Sequence, residues 1–227
     1  MPRARTASQA SRSFLRRAIF LSLLAVFAPA SAAAQNAPTA DVPDFWIGLQ
    51  GGGGLASAIC AGCGESGTQS GTTGSTFLGF GLSKRVLVGM QISYWRDHGG
   101  MYSQSEDKIT RGHLMIIGYY YPWKRVPVFT KFGFGLSAFT AIDRYHPSLK
   151  GTDGRELGSY VHSDGPGVMA AAGYEIFVSQ RFALVPSVSY FYAQHSGLTF
   201  DTTHLLADHV TLQLVELDIG CMFHAGW

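Results

Sequence analysis

Cys60-Ala61-Gly62-Cys63 is the tightest reactive spacing in the chain, a CxxC whose thiols could cycle with a disulfide or supply half of a zinc site. A zinc site of that kind needs a second pair of ligands, and no second CxxC exists. Histidines form the next group: His98, His146, His162, His195, His204 and His209, with Asp97, Asp201 and Asp208 near some of them in sequence. A metal site requires several such ligands to converge. His195, His204 and His209, which flank one segment, are weak candidates only, and solvated polar residues are the plainer reading, so no metal is assigned. His195 is followed by Ser196, a base beside a hydroxyl, yet neighbours on an extended strand point to opposite faces. Gly51 to Gly54 lack the Lys-Ser/Thr and the helix of a phosphate-cradling loop. The last group is a set of charges among apolar residues: Lys131, Glu175, Glu216 and Asp218, with Arg111. Placed inside a fold, such charges must pair or cost several kcal/mol.

What positions these groups begins with the N-terminus. Arg3, Arg5, Arg12, Arg16 and Arg17 precede the apolar run AIFLSLLAVFAPA and the small-residue stretch SAAAQ, with no acid among them. That is the layout of a signal peptide, residues 1–34, cut after Ala34. The run breaks at Pro29 and is shorter than the ~20 residues of a spanning helix. Export has two consequences. The route is oxidising, so Cys60 and Cys63 are expected to staple a Gly-rich loop as a small disulfide, although spacing alone leaves open whether they are bonded. The charge balance also changes, from 17 basic and 15 acidic side chains to 12 against 15, because the removed segment carries five Arg and no acid. Nothing basic remains that would argue for a nucleic-acid partner.

Charged residues make up 14% of the chain against ~25% in ordinary soluble domains, while aromatics reach 13% and there are 28 glycines. Period-two alternation marks eight strands, at about 45–56, 75–83, 86–96, 110–123, 128–142, 167–179, 182–194 and 209–227. The links at 83–85, 123–126 and 179–181 are tight, whereas 57–74, 97–108, 143–166 and 195–208 are long and polar. Long and short links alternate strictly, so with an even strand number the short turns and both termini fall at one end. One face of each strand is apolar: Phe132, Phe134 and Leu136, or Val168, Ala170 and Ala172, or Val215, Leu217, Ile219, Cys221 and Phe223. The other face carries the charges and many glycines (Gly48, Gly79, Gly89, Gly133, Gly173, Gly220). Glycines beside charges suit a narrow interior, so the apolar face is expected outward, toward lipid. Cys221 then reads as a small apolar filler. Aromatic belts are expected from Phe45 and Trp46, Tyr119 to Tyr121 with Trp123, and Phe223 with Trp227 at one end. Tyr94, Trp95 and Tyr190 to Tyr192 supply the other. Strand 110–123 could turn either face out.

The opening FWIGLQGGGG, the stretch LGFGLSKRVLVGMQISYW and the aromatic end at Trp227 make the chain similar to the small eight-stranded outer-membrane barrels of the OmpA/OmpX type. The resemblance implies an all-β, eight-stranded antiparallel up-and-down transmembrane β-barrel over 44–227, after a short periplasmic segment at 35–43. It implies both termini in the periplasm, contact with outer-membrane lipids and lipopolysaccharide, and handling by the barrel-assembly machinery. Its assembly signal maps onto Trp227 and Phe223, with Cys221 and Ile219 behind them. The cell-wall tether of the longer relatives, a peptidoglycan-binding domain after the barrel, is not expected here.

The function expected is structural or interaction-based, through the outer loops, with an unidentified extracellular partner, no cofactor and no open porin channel. Lys131, Glu175, Glu216, Asp218 and Arg111 are read as a plug of ion pairs. Some barrels of this size modify lipid A, including a deacylase with a His/Ser/Glu arrangement. That pattern separates His and Ser by one residue and continues to Asn, whereas here Ser196 adjoins His195 and Gly197 follows. A lipid A-modifying enzyme is therefore the alternative, and a secreted lipocalin-like carrier the third reading.

Overall fold

The computed structural model describes residues 45–60, 64–65, 68–97, 108–123, 126–143, 159–196, 198–200, 204–207 and 209–225. Residues 1–34 and 35–43, Cys63 and Trp227 lie outside them, and of Cys60 and His204 only the backbone is described. Eight long strands carry the fold: β1 (Phe45–Cys60), β2 (Gln69–Ser83), β3 (Val86–Asp97), β4 (Lys108–Tyr120), β5 (Val128–Asp143), β6 (Ser159–Tyr174), β7 (Phe182–His195) and β8 (Val210–Ala225). Each pairs antiparallel with the next in sequence. β8 returns to β1 in unbroken register from Phe45↔Ala225 to Cys60↔Val210. That pairing closes the barrel and leaves no long strand with a free edge. It also puts both ends of the described barrel at the end that holds the tight turns.

Alternation decides which side of the wall each residue takes. Leu217 and Ile219 are 64% and 69% exposed and Phe134 is 62% exposed, while Lys131 is fully buried. A water-soluble barrel would have the reverse arrangement, because each such aliphatic side chain loses about 1.5–3 kcal/mol when left in water. On β8 the outward apolar row runs from Val215 to Phe223. At ~3.3 Å per residue that is roughly 26 Å of strand, or about 20 Å of height at a ~40° tilt, close to the band of a membrane barrel. The open register of β4 is resolved by the same measure: Arg111, His113, Met115, Ile117 and Tyr119 are buried, and Leu114, Ile116 and Tyr120 are exposed.

Three sequence-based expectations need correction. The strands are longer than the apolar alternation. β1 and β2 run through most of 57–74, and β6 begins at Ser159 inside the segment expected as a loop. Most outward positions there are polar (Thr72, Arg96, Thr110, Asp164, Thr211), with Ile59 an exception. A backbone ladder needs no apolar face, so pairing continues where the apolar band stops. The sixth strand does not run unbroken to 179. It stops at Tyr174, and Ile176–Phe177 resumes the pairing with β7 after an irregularity that buries Glu175 beside the buried Tyr174. The belts are also thinner than expected: Trp46, Trp95 and Tyr119 are buried in the lumen, because each has outward neighbours on both sides in an alternating strand. Phe45, Tyr120, Trp123 and Phe182 remain exposed at the turn end, and Tyr94 and Tyr190 higher up.

Beyond the end of β7, Leu198–Phe200 pairs with His204–Ala207 and extends the upper part of β6 through Thr199↔His162 and Phe200↔Val161.

Candidate functional site

The chemistry-bearing side chains gather in the lumen, in three layers. Nearest the tight turns, the Tyr121 hydroxyl donates to Glu175 Oε1. Glu175 Oε2 lies 3.5 Å from His224 Nε2, with both side chains fully buried. Above them sits an aromatic cluster. Trp46 meets Tyr119 edge-on at 5.1 Å between centroids, and Tyr119 meets Phe129 at 5.0 Å. Such pairs add about 0.5–1.5 kcal/mol each beyond their buried area. The glycines make this cluster possible. A Cβ on Gly79 would fall 2.0 Å from the Val88 carbonyl oxygen and 2.6 Å from the Trp46 ring, and its partner Gly89 is equally confined.

Lys131 rises from β5 into the second layer. Its Nζ donates to Gln91 Oε1 at 3.0 Å and lies 5.5 Å and 5.4 Å from the ring centres of Phe77 and Tyr119. The charges of Glu216 and Asp218 act on it, but neither carboxylate comes within 4 Å among the described residues. Asp218 is held instead by the Thr73 hydroxyl, which donates to it. Ser75 donates to Gln50 Oε1 at 3.3 Å, and Gln50 Nε2 donates to Ser187 Oγ at 3.0 Å. These bonds tie β1, β2 and β7 together across the interior.

The third layer, toward the long links, is built around Arg111. Its Nη1 crosses from β4 to donate to the carbonyls of Ser57 at 3.0 Å and Gln213 at 2.9 Å, on β1 and β8. The guanidinium lies 5.3 Å and 5.7 Å from the ring centres of Trp95 and Phe139, and Trp95 Nε1 donates to the Gly54 carbonyl at 3.2 Å. His113 stacks on Phe191 with centroids 4.7 Å apart. His195 Nδ1 is 3.0 Å from Ser163 Oγ.

The five charged residues expected to form one plug are all buried, but they are spread over these layers. Lys131, Glu216 and Asp218 share the middle, Glu175 sits at the turn end, and Arg111 contacts carbonyls and rings instead of carboxylates. Ion pairing therefore supplies less of the filling than expected. Neutral hydrogen bonds and aromatic rings supply more. Phe129 shares the inward face of its strand with Lys131, as its parity predicts, whereas Trp46, Phe77 and Tyr119 are interior residues that only their parity with Gly48, Gly79 and Arg111 signals.

The histidine candidates divide. His195 is buried in the lumen, whereas His209, just before β8 and next to the cross-strand partner Val210, is exposed. The side chain of His204 lies outside the described residues. Among the described residues no group of three His, Cys, Asp or Glu could hold a metal ion. Ser196 is exposed while His195 is buried, which separates that pair as well. Ser163, in a segment expected as loop, is the hydroxyl that His195 does meet. The other ring nitrogen, which an orienting acid would hold in a hydrolase, has no hydrogen-bond partner among the described residues. Asp164 faces outward beside His162, at 3.7 Å.

No protein-family model matches the sequence, and no curated protein matches it. Among solved structures, the chain is similar to Neisserial surface protein A, with a TM-score of 0.49, 17% identity, and 81% of this chain and 98% of that chain covered. It is similar to Ail, the attachment invasion locus protein of Yersinia pestis, at 0.48 and 12% identity, covering 79% and 99%. The outer membrane protein OprG from Pseudomonas aeruginosa aligns at 0.43 and 14% identity, covering 82% and 99%.

Proposed function

We propose that this chain is an outer-membrane β-barrel that acts through the segments above its rim, in a structural or interaction role, and that it is not a general porin. The observation that carries this reading is the inverted wall. A continuous apolar band faces outward on a closed barrel, and the charged side chains face in. In bacteria, closed barrels of this kind belong to the outer membrane, with short turns toward the periplasm and longer loops outside. The filled interior supports the absence of a channel, since Trp46, Phe77, Tyr119, Phe129 and Lys131 occupy the cross-section that water would need. The signal peptide read over residues 1–34 supports export. Both termini are assigned to the periplasm, and outer-membrane lipids with lipopolysaccharide are the contacts of the band. The barrel-assembly machinery is the partner during insertion.

Fractionation tests this reading. The expressed protein is expected in the outer-membrane fraction, with a gel mobility that changes on heating. Recovery in the soluble periplasm or the medium would refute it and favour the lipocalin-like carrier.

A further inference from the structure

We propose that the rim-side layer of the lumen is a binding site for a small oxyanion of the phosphate or sulfate class, held by Arg111, His113 and His195 with the hydroxyls of Ser93 and Ser137. This goes beyond a surface role and rests on three observations. The first is charge. Arg111 is 1% exposed, and no carboxylate lies within 4 Å of it among the described residues. Arg111 acts electrostatically on both His113 and His195, although the outward-facing Asp164 carboxylate acts on His195 more strongly. The acids inside the barrel are engaged elsewhere: Glu216 and Asp218 share the layer of Lys131, and Glu175 bonds Tyr121. A buried guanidinium satisfied only by neutral carbonyls still lacks a counter-charge.

The second observation is a set of buried polar atoms with no hydrogen-bond partner among the described residues: Ser93 Oγ, both ring nitrogens of His113, Ser137 Oγ, Arg111 Nε and His195 Nε2. Buried polar groups in native proteins are nearly always bonded, and each one left unpaired costs about 1–3 kcal/mol. Here they cluster, and most can donate.

The third is register. Ser93 pairs with His113 across β3 and β4, and His113 pairs with Ser137 across β4 and β5. Directly paired residues hold their Cβ atoms ~4.5–5.5 Å apart. The three side chains therefore form one inward row with Arg111 two residues above it. Phe191, stacked on His113 from β7, fixes the ring from across the lumen. With Nη1 tied to two carbonyls, Arg111 presents Nε to a ligand at little further entropic cost. Guanidinium, imidazole and hydroxyl donors gathered on adjacent inward rows suit a compact oxyanion.

The test uses the barrel purified in detergent from membranes, with its histidines isotopically labelled. Inorganic sulfate, and separately inorganic phosphate, is titrated at fixed pH and ionic strength while the imidazole signals of His113 and His195 are followed. Saturable movement of both signals is expected. Arg111→Met should weaken the apparent affinity at least tenfold, and Ser137→Ala several-fold, with heat-modifiable mobility verifying that each variant is folded. Ile92→Ala, on the outward face, should bind as the unaltered protein does. Unmoved signals, shifts that grow without saturating, or equal saturation in folded Arg111→Met would overturn the proposal and leave a hydrated cluster in its place. Should Arg111→Met fail to fold, His113→Gln reads the same affinity with His195 as reporter. None of these outcomes bears on whether the protein fractionates with membranes, so the two readings fail separately.

Discussion

At the scale of single residues, the interior tolerates Lys131 because of what surrounds it. Its ammonium has one amide acceptor, two ring faces and two carboxylates in the same layer. Lys131→Met removes the only cation of that layer among the described residues and leaves Glu216 and Asp218 side by side on β8 without it. Breaking a buried arrangement of this kind costs about 3–5 kcal/mol. Chemical unfolding of the detergent-refolded barrel should register that loss, and Lys131→Met combined with Glu216→Gln and Asp218→Asn should recover most of it. A variant as stable as the parent would mean that the lumen charges are independently hydrated. Gly79 tests the opposite limit, space. Any Cβ there meets a backbone oxygen at 2.0 Å, so relief requires the strand itself to move. Gly79→Val is expected to destabilise by at least ~1–3 kcal/mol, seen as a smaller folded fraction by gel mobility after refolding.

At the scale of the strand, the two faces obey different solvents. Ile219 is central in the outward row of β8, so Ile219→Arg should cost about 2–4 kcal/mol for the barrel folded in lipid bilayers. Thr211→Arg, on the same face of the same strand above the apolar row, should cost ~0–1 kcal/mol. Equal, small effects at both positions would mean that the face sees water throughout. The strand is also where alternation proved most informative and most easily over-read. It placed Phe132, Phe134 and Leu136 outward correctly, yet Trp46, Trp95 and Tyr119 were assigned to belts for being aromatic near strand ends. Their parity contradicts that assignment, and the structure follows the parity. Strand length was underestimated for a related reason: hydrogen bonding between β5 and β6 continues to Asp143↔Ser159, where the side chains no longer alternate in polarity.

For the whole molecule, closure and sidedness make separate predictions. The filled cross-section should give no steady porin-sized conductance when the purified protein is added to a planar bilayer. An epitope inserted at residue 150, between β5 and β6, should be reached by antibody on intact cells. An epitope at the Ser83–Val86 turn should be reached only after the outer membrane is opened, and the converse pattern would invert the proposed orientation. Lipid A from cells with and without the protein should have the same mass profile. A changed acyl pattern would bring the lipid-modifying reading forward despite the lumen-facing position of His195.

The sequence by itself determined the eight strands, their order, the end at which the first strand starts and the last one finishes, and the outward face of most strands. All of these follow from period-two polarity and link length, which are local properties. Arg111, His113 and Ser137 are legible as one inward row only after the register of β4 is known, and LMIIGYYY leaves that register open because both faces are apolar. Tertiary structure alone decided that Lys131 stands among rings and an amide, that Arg111 reaches across to β1 and β8, and that His195 meets Ser163 in preference to Ser196. These contacts join residues distant in the chain. They depend on barrel closure and on the stagger between strands, which no local pattern encodes.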